Sequence, residues 1–259
     1  MDVVTIGLWR MVAAYAFLII LLFIVRRLGV GREIDILIST LRMTLQLILM
    51  GYVLSYVLAV NHALLSAAIF VLMQAFAVNN VYARVRAPLI RRLRRAIASA
   101  LFVGSTVSLI YFLVIVVGVR PWYETRYFIP IAGMLIGNSM TGVSLGAERL
   151  LEGLKARRHE VEGALVLGAT PTAATRTVVR GAFTAAILPT VNSMMGMGIV
   201  FLPGLMSGQI LSGVSPITAI EYQIAIMLGI MGSVALSVYI LLELGHKSFF
   251  NERAQLVEE

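Results

Sequence analysis

The chain has 259 residues, of which 59% are hydrophobic and 13% are charged, with a formal net charge of +8 and no cysteine. Charged residues make up about 25% of an ordinary globular domain, so this composition excludes a soluble domain and indicates an integral membrane protein. The absence of cysteine excludes disulfides, thiolate metal sites and a cysteine nucleophile. The cations form short clusters beside apolar runs rather than a basic face interleaved with aromatic residues, which argues against nucleic-acid binding.

Apolar segments predict a polytopic all-α protein with about seven transmembrane helices. A hydrocarbon core about 30 Å thick needs about 20 apolar residues in a helix, and lipid offers no partner for the unpaired backbone of other folds. The segments that approach this length are 8–25, 36–60, 63–82, 96–118, 127–146, 182–202 and 222–243. No linker separates them, which predicts one permease-like transmembrane domain over 1–259. The apolar stretch 203–219 is interrupted by Gly and Pro, which predicts a re-entrant or interfacial hairpin.

The distribution of cations predicts the orientation of these helices. If the last segment ends in the cytosol, 17 of the 21 Lys and Arg residues fall on the cytosolic side. Arg10, Arg120 and Arg126 fall on the other side, and Arg42 lies within the second span. Because cytosolic loops carry an excess of Lys and Arg, we expect the N-terminus outside and the C-terminus in the cytosol. The loop at about 147–181 then faces the cytosol.

This loop carries local signals for three consecutive helices. Residues 147–160 continue the fifth span out of the membrane, because Leu side chains recur there at helical spacing. Glu160 to Leu167 can form a short second helix, and Gly168 has the permissive backbone that ends it. Thr170 is suited to cap a third helix, and Pro171 fits its first turn.

The same loop resembles the segment by which ABC-importer permeases grip their ATPase subunits. Glu162, Ala164 and Gly168 reproduce its E-x-A-x-x-x-G spacing. The resemblance implies an ATPase-coupling surface made of Glu160, Glu162, Ala164, Gly168, Ala169, Thr170 and Pro171. The importer motif continues to a Leu-Pro pair where this chain has Arg180-Gly181, and Leu188-Pro189 comes later. The alternative interpretation of the loop is an ordinary amphipathic connector.

Further segments resemble the Fet-type permease family of ABC transporters, which includes bacterial proteins assigned to iron export and a plant membrane subunit linked to aluminium tolerance. The segments that carry this resemblance are 137–146, 168–171, 188–194, 202–211 and 221–227. The family implies a homodimeric permease in the lipid of the bacterial inner (plasma) membrane, paired with a cytosolic ABC ATP-binding subunit. It implies export of iron or another metal ion, with a nucleotide sugar such as UDP-glucose as the alternative substrate.

The expected chemistry of this chain is therefore transport rather than catalysis. The sequence has no G-x-x-x-x-G-K-[ST] phosphate loop, so we expect ATP and Mg²⁺ on the partner subunit and no cofactor on this chain. It has no paired carboxylates, H-x-x-x-H or Ser/His/Asp grouping, which argues against an enzyme. A secondary transporter would need acidic residues at the membrane centre, and the centres of the predicted spans have none. A non-transporting scaffold would explain the loop but not the polar residues within the spans.

Two spans share a short polar sequence motif, and its side chains are candidates for lining a substrate pathway. Its members are Asn138, Ser139 and Met140 in the fifth span and Asn192, Ser193 and Met194 in the sixth. An amide in hydrocarbon costs free energy unless it has partners or faces water. The residues therefore either line a substrate route or bond neighbouring helices together, and a pathway between helices needs both.

The metal ligands of this chain stay unknown at this stage. Thioethers suit Cu(I) better than Fe(II), and methionine is also a common filler of flexible apolar packing. His62, His159 and His246 fall in three predicted loops, without the spacing of a histidine metal site.

Overall fold

The computed structural model describes residues 7–85, 90–251, 253, 255 and 256. Within these residues the protein is helical and has no β-strand, which confirms the all-α prediction. Arg86, one of the cations counted above, lies outside the described residues. The helices are α1 Leu8–Ala14, α2 Ala16–Arg27, α3 Glu33–Val60, α4 Ala63–Arg84, α5 Arg91–Tyr111, α6 Thr125–Ala156, α7 Arg158–Val166, α8 Pro171–Ala174, α9 Arg176–Gly196, α10 Gly204–Leu211 and α11 Pro216–Gly245. A π-helical turn, Phe112–Val117, continues α5, and a 3₁₀ turn, His246–Phe249, follows α11.

Among the described residues, six helical segments are long and apolar enough to cross a membrane, so this is an integral membrane protein. They are Leu8–Arg27, Glu33–Val60, Ala63–Arg84, Arg91–Val117, Thr125–Ala156 and Pro216–Phe249. The remaining predicted span, 182–202, corresponds to α9, which is not among the six. That helix ends at Gly196 rather than at 202, since Met197 is extended and Gly198 adopts a φ of +84°. Its 21 residues extend about 31 Å, which matches the thickness of the hydrocarbon core. A seventh crossing therefore stays a prediction.

The segment predicted as a hairpin, 203–219, is divided between two helices. The eight residues of α10 span about 12 Å, which is too short to cross the hydrocarbon core. The second part of the predicted hairpin, from Pro216 onward, instead forms the first turn of α11. Proline at the first turn is compatible with a helix because its missing N–H has no intrahelical partner there.

The chain divides into two compact units, one of Met1–Val60 with Leu211–Gly213 and one of Asn61–Ile210 with Val214–Glu259. In the first unit, the Tyr15 hydroxyl lies 2.6 Å from Thr44 Oγ1. Most apolar side chains of its long helices are exposed, as a lipid-facing surface requires. In the second unit, α11 packs against α5, α6 and α9, and α6 packs against α4 and α9.

Small residues bring α11 close to its neighbours in the second unit. A Cβ atom added at Gly104 of α5 would lie 2.7 Å from the Ser237 Cα atom, and one at Gly142 of α6 would lie 2.8 Å from Val234. Membrane helices associate through this kind of close backbone approach, because lipid tails remove the hydrophobic driving force between helices. The position of α11 at the centre of the unit therefore depends on these glycines.

The helix ends of the second unit separate the cations onto two sides. At one end, the Asn61 side chain accepts a hydrogen bond from the Thr125 backbone N–H at 3.1 Å and so caps α6. At the opposite end, Gly245 lies against Leu150 and Leu93. This second end gathers the described cations of the α4 end, the α5 start, the α6–α9 connection and the α11 end. Arg120 and Arg126 lie near the Asn61 end. The two-sided cation pattern is thus present in this unit, and which side is cytosolic stays a prediction.

We expect Gly104→Ala to destabilise the protein by about 1–3 kcal/mol, because the added methyl group would overlap the Ser237 backbone. Gly232→Ala in α11 is the matched control, since no atom lies within 4 Å of its added Cβ. It should be neutral or slightly stabilising. Thermal unfolding in detergent, followed by helical circular dichroism, would compare the two. Equal midpoints would contradict the dependence of the α5–α11 contact on Gly104.

Candidate functional site

Residues 157–175, the part of the loop 147–181 that lies between α6 and α9, fold as an elbow. The predicted extension of the fifth span is present, as α6 runs to Ala156, and α7 follows directly. Gly168 has a φ of +91° and donates its N–H to the Leu165 carbonyl at 3.0 Å, while Ala169 donates to the Ala164 carbonyl at 3.0 Å. These two bonds form a Schellman motif, with glycine at the left-handed position. The A-x-x-x-G spacing is therefore the spacing of a helix end.

The second half of the elbow starts α9. The Thr170 Oγ1 atom accepts a hydrogen bond from the Ala173 N–H at 3.3 Å, and Pro171 occupies the first turn of α8, both as predicted. Thr175 is fully buried and donates from its hydroxyl to the Pro171 carbonyl at 2.8 Å. Its own N–H bonds the same carbonyl, so α8 and α9 are nearly continuous. A displacement of the elbow is consequently applied directly to α9.

The acidic residues of the motif lie on the surface of α7. Glu162 Oε1 accepts a hydrogen bond from Arg158 Nε at 2.8 Å, with both side chains about 40% exposed. Glu160 is exposed in the first turn of the helix, where a negative charge is favourable. A surface ion pair of this kind contributes about 1 kcal/mol or less. The Glu162 carboxylate can therefore exchange Arg158 for a cation of another protein at little cost.

The tip of the elbow exposes two apolar side chains that sequence reasoning missed. Val166 is 87% exposed and Leu167 is 89% exposed, directly before the turn at Gly168. They lie at the cation-rich end of the unit, outside every helix that is apolar enough to cross a membrane. Single exposed apolar residues are ordinary, but these two are adjacent and lie together on one projecting turn. The sequence carried no local signal for this exposure.

The two asparagines of the candidate pathway lie at the same level of an antiparallel helix pair. Gly142 of α6 faces the Ala186 carbonyl of α9, and Gly153 faces Val178. Continuing this register places Asn138 opposite Asn192. Both asparagines are exposed, and Asn138 Nδ2 donates to the Met134 carbonyl at 2.8 Å. The register sets these two residues at one level of the helix pair, and their role in a pathway stays a prediction.

The neighbouring serines are placed differently from the asparagines. Ser139 is fully buried, and its hydroxyl lies 2.9 Å from that of Ser233 in α11. Ser193 is half-buried and donates to the Pro189 carbonyl at 3.0 Å. Consecutive helical residues point about 100° apart, so Asn138 and Ser139 cannot face the same surface. The Ser139–Ser233 pair bonds two helices together, while the asparagines stay available to a pathway. Met140 and Met194 are half-buried.

No metal centre can be assigned within the described residues, where no group of three or more His, Cys, Asp or Glu side chains could hold an ion. Met197 Sδ accepts a weak hydrogen bond from Gln223 Nε2 at 3.7 Å. All three histidines lie between or beyond the predicted spans, in the connections where the sequence places them. His159 lies in α7, and His246 begins the 3₁₀ turn after α11, where it is buried. His62 precedes α4, and its ring accepts a bond from the Leu64 N–H at 3.3 Å.

Comparison with known proteins places these features in a family. Residues 8–250 match the family described as "Uncharacterised protein family (UPF0014)". The chain is 35% identical over 244 residues to the UPF0014 membrane protein YjkA of Bacillus subtilis, covering 93% of this chain and 94% of that protein. It is 33% identical over 244 residues to the probable iron export permease protein FetB of Escherichia coli, covering 94% and 92%.

A plant protein is similar over nearly the whole chain as well. The chain is 31% identical over 252 residues to the protein ALUMINUM SENSITIVE 3 of Arabidopsis thaliana, which covers 96% of this chain and 90% of that protein. No solved structure matches the chain.

The sidedness of the elbow can be tested with single cysteines, because the natural chain has none. We expect Leu167→Cys to react with a membrane-impermeant maleimide only after the cells are permeabilised, since the elbow is predicted to be cytosolic. Trp122→Cys, which lies between the fourth and fifth predicted spans and is 52% exposed, should react in intact cells. Labelling of Leu167→Cys in intact cells would reverse the predicted orientation.

Proposed function

Since this chain belongs to the UPF0014 family of membrane proteins, we propose that it is the permease subunit of a transporter driven by ATP hydrolysis on a separate cytosolic chain. The observation that carries this proposal is the elbow between α6 and α9. It presents the exposed pair Val166 and Leu167 beside the E-x-A-x-x-x-G residues, at the cation-rich end of the helices. A soluble motor protein needs a projecting, rigid contact of this kind on its membrane partner.

The local chemistry of the elbow supports docking. The helix α7 ends in two satisfied backbone bonds at Gly168, so the turn does not need a partner to hold its shape. A preorganised element loses little conformational freedom when it binds. Its apolar tip can enter a pocket, while the Arg158–Glu162 pair offers both charges at the rim. Such an arrangement of an apolar centre and a polar rim is typical of protein interfaces.

We propose a metal ion, with iron as the leading candidate, as the exported substrate. The support is the similarity to the probable iron export permease protein FetB over 94% of the chain. The similarity to ALUMINUM SENSITIVE 3 adds a second protein whose name refers to a metal. In this proposal two copies of the chain form the transporter, with Asn138 and Asn192 at one level of the route between helices. Their amide oxygens are the kind of ligand that a partly hydrated metal ion can use in passing.

The docking proposal predicts that the elbow binds the ATP-binding subunit. Glu162→Arg and Leu167→Glu should each reduce copurification of the co-expressed ATP-binding subunit by at least about tenfold, which corresponds to about 1.4 kcal/mol. Membrane insertion should be unchanged, because both side chains lie on the surface of the elbow.

Glu152→Arg is the matched control for Glu162→Arg. Glu152 forms a comparable surface ion pair with Arg149 at 2.9 Å, but it lies outside the motif. The control should copurify its partner normally. Normal copurification by both Glu162→Arg and Leu167→Glu would exclude the elbow as the docking site.

The pathway proposal predicts a loss of transport without a loss of assembly. The double variant Asn138→Leu with Asn192→Leu should greatly lower Fe²⁺ transport by proteoliposomes that contain both subunits. Basal ATP hydrolysis should persist, because both residues lie far along α6 and α9 from the elbow. Ser139→Ala is the control, since the Ser139–Ser233 bond should affect stability by about 1 kcal/mol or less and leave transport intact. Full transport by the double asparagine variant would refute the pathway.

A further inference from the structure

The segment 246–256, which follows α11, packs against the elbow through His246. The His246 side chain is 2% exposed, and its Nδ1 atom lies 2.7 Å from the Leu242 carbonyl oxygen. A carbonyl can only accept a hydrogen bond, so Nδ1 carries a proton and donates it. The Nε2 atom lies 3.3 Å from the Thr172 hydroxyl of α8. A single imidazole thus connects α11 to the elbow.

The start of this segment is anchored in the end of the helix bundle. Gly245 packs against Leu150 and Leu93. A Cβ atom added to Gly245 would lie 3.2 Å from the Leu150 side chain and 3.3 Å from the Leu93 side chain. Phe249 and Phe250 are buried, at 7% and 5% exposure. Because these contacts come from α5 and α6, the segment keeps a fixed place at the same end of the unit as the elbow.

The chain then turns back on itself. Asn251 Oδ1 accepts hydrogen bonds from the backbone N–H groups of Arg253 at 3.0 Å and Gln255 at 2.9 Å. The Asn251 N–H donates to the Gln255 carbonyl at 3.0 Å, which closes the turn. Asparagine side chains stabilise tight turns through such local bonds. Residues 253, 255 and 256 are thereby held opposite the elbow.

The turn and the elbow line an open groove with a volume of about 310 Å³. One wall belongs to the elbow and the other to the turn; the lining residues are Glu162, Leu165, Val166 and Ala169 on the first wall, and Arg253, Gln255 and Leu256 on the second. Glu162 and Ala169 are members of the docking motif, so the groove is continuous with the proposed docking surface. Its walls combine a carboxylate and a guanidinium with apolar side chains.

We propose that the ATP-binding subunit docks on a composite surface made of the elbow and the turn that contains Asn251, Arg253, Gln255 and Leu256, and that His246 positions the elbow on this surface. The inference rests on the proposed function. An apolar side chain of the ATP-binding subunit enters the groove between Leu165 and Leu256, and polar groups beside it bind Glu162 and Arg253. Motion of the bound subunit then reaches α11 through His246 as well as α6 and α9 through the chain.

Binding of the purified ATP-binding subunit to the permease in nanodiscs tests the composite surface. Arg253→Glu and Leu256→Glu should each raise the dissociation constant by at least about tenfold, as loss of a central interface contact does. Arg92→Glu is the matched control, since Arg92 is an exposed arginine of α5 at the same end that belongs neither to the elbow nor to the groove lining. It should bind within about threefold of the natural protein, because a charge outside the contact surface acts only through long-range electrostatics.

The Leu167→Glu variant distinguishes failure of this inference from failure of the proposed function. If Leu167→Glu loses binding while Arg253→Glu and Leu256→Glu bind as the natural protein does, the elbow docks alone and the composite surface is wrong. If Leu167→Glu also binds normally, docking at the elbow is wrong, and the composite surface is wrong with it. Thermal unfolding of each variant in detergent should match that of the natural protein, so that lost binding reports the surface itself.

The positioning role of His246 is tested by hydrogen exchange on the permease without its partner. Thr172→Val keeps the shape of an exposed side chain and removes the hydroxyl that bonds His246. Amide exchange in residues 158–170 should then rise severalfold, because the elbow has lost a hydrogen bond to the residue that follows α11. Thr184→Val is the control, since that hydroxyl bonds only the Arg180 carbonyl of its own helix. Unchanged exchange of the elbow in Thr172→Val would overturn the role of His246.

Discussion

The left-handed backbone at Gly168 is the constraint on which the elbow depends. A φ of +91° is open to glycine but disfavoured for residues with a side chain. With this turn in place, the N–H groups of Gly168 and Ala169 satisfy carbonyls at the end of α7, and Thr170 begins the next helix. Val166 and Leu167 are then 87% and 89% exposed. The same turn therefore ends the helix and creates the apolar tip.

Features that depend on nearby residues could be predicted from the sequence, and those that depend on distant residues could not. The three helices of the elbow were predicted correctly because Gly168, Thr170 and Pro171 act within a few residues. The burial of His246 and its contact with Thr172, which lies 74 positions away, could not be predicted from local residues. The exposure of Val166 and Leu167 is also a tertiary property. No local pattern shows which surfaces the rest of the fold leaves uncovered.

The repeated Asn-Ser-Met motif shows a second limit of local patterns. The motif occurs in two helices that do pack together, α6 and α9, but its sequence suggested that the three side chains act as a group. A helix separates consecutive side chains by about 100°, so Ser139 turns into the bundle and meets Ser233 while Asn138 stays exposed. The level shared by Asn138 and Asn192 follows only from the register of α6 against α9.

The packing of the second unit favours movement of helices as a group rather than a local gate. Gly142 contacts Val234 of α11 and Ala186 of α9 at once, so three helices meet within one turn of Asn138. The elbow joins two of them through the chain, and His246 joins the third through its imidazole. Tightly packed interiors deform little and instead shift between discrete arrangements. Under the proposed function, a displacement of the elbow by the ATP-binding subunit would then carry the asparagine-bearing helices together.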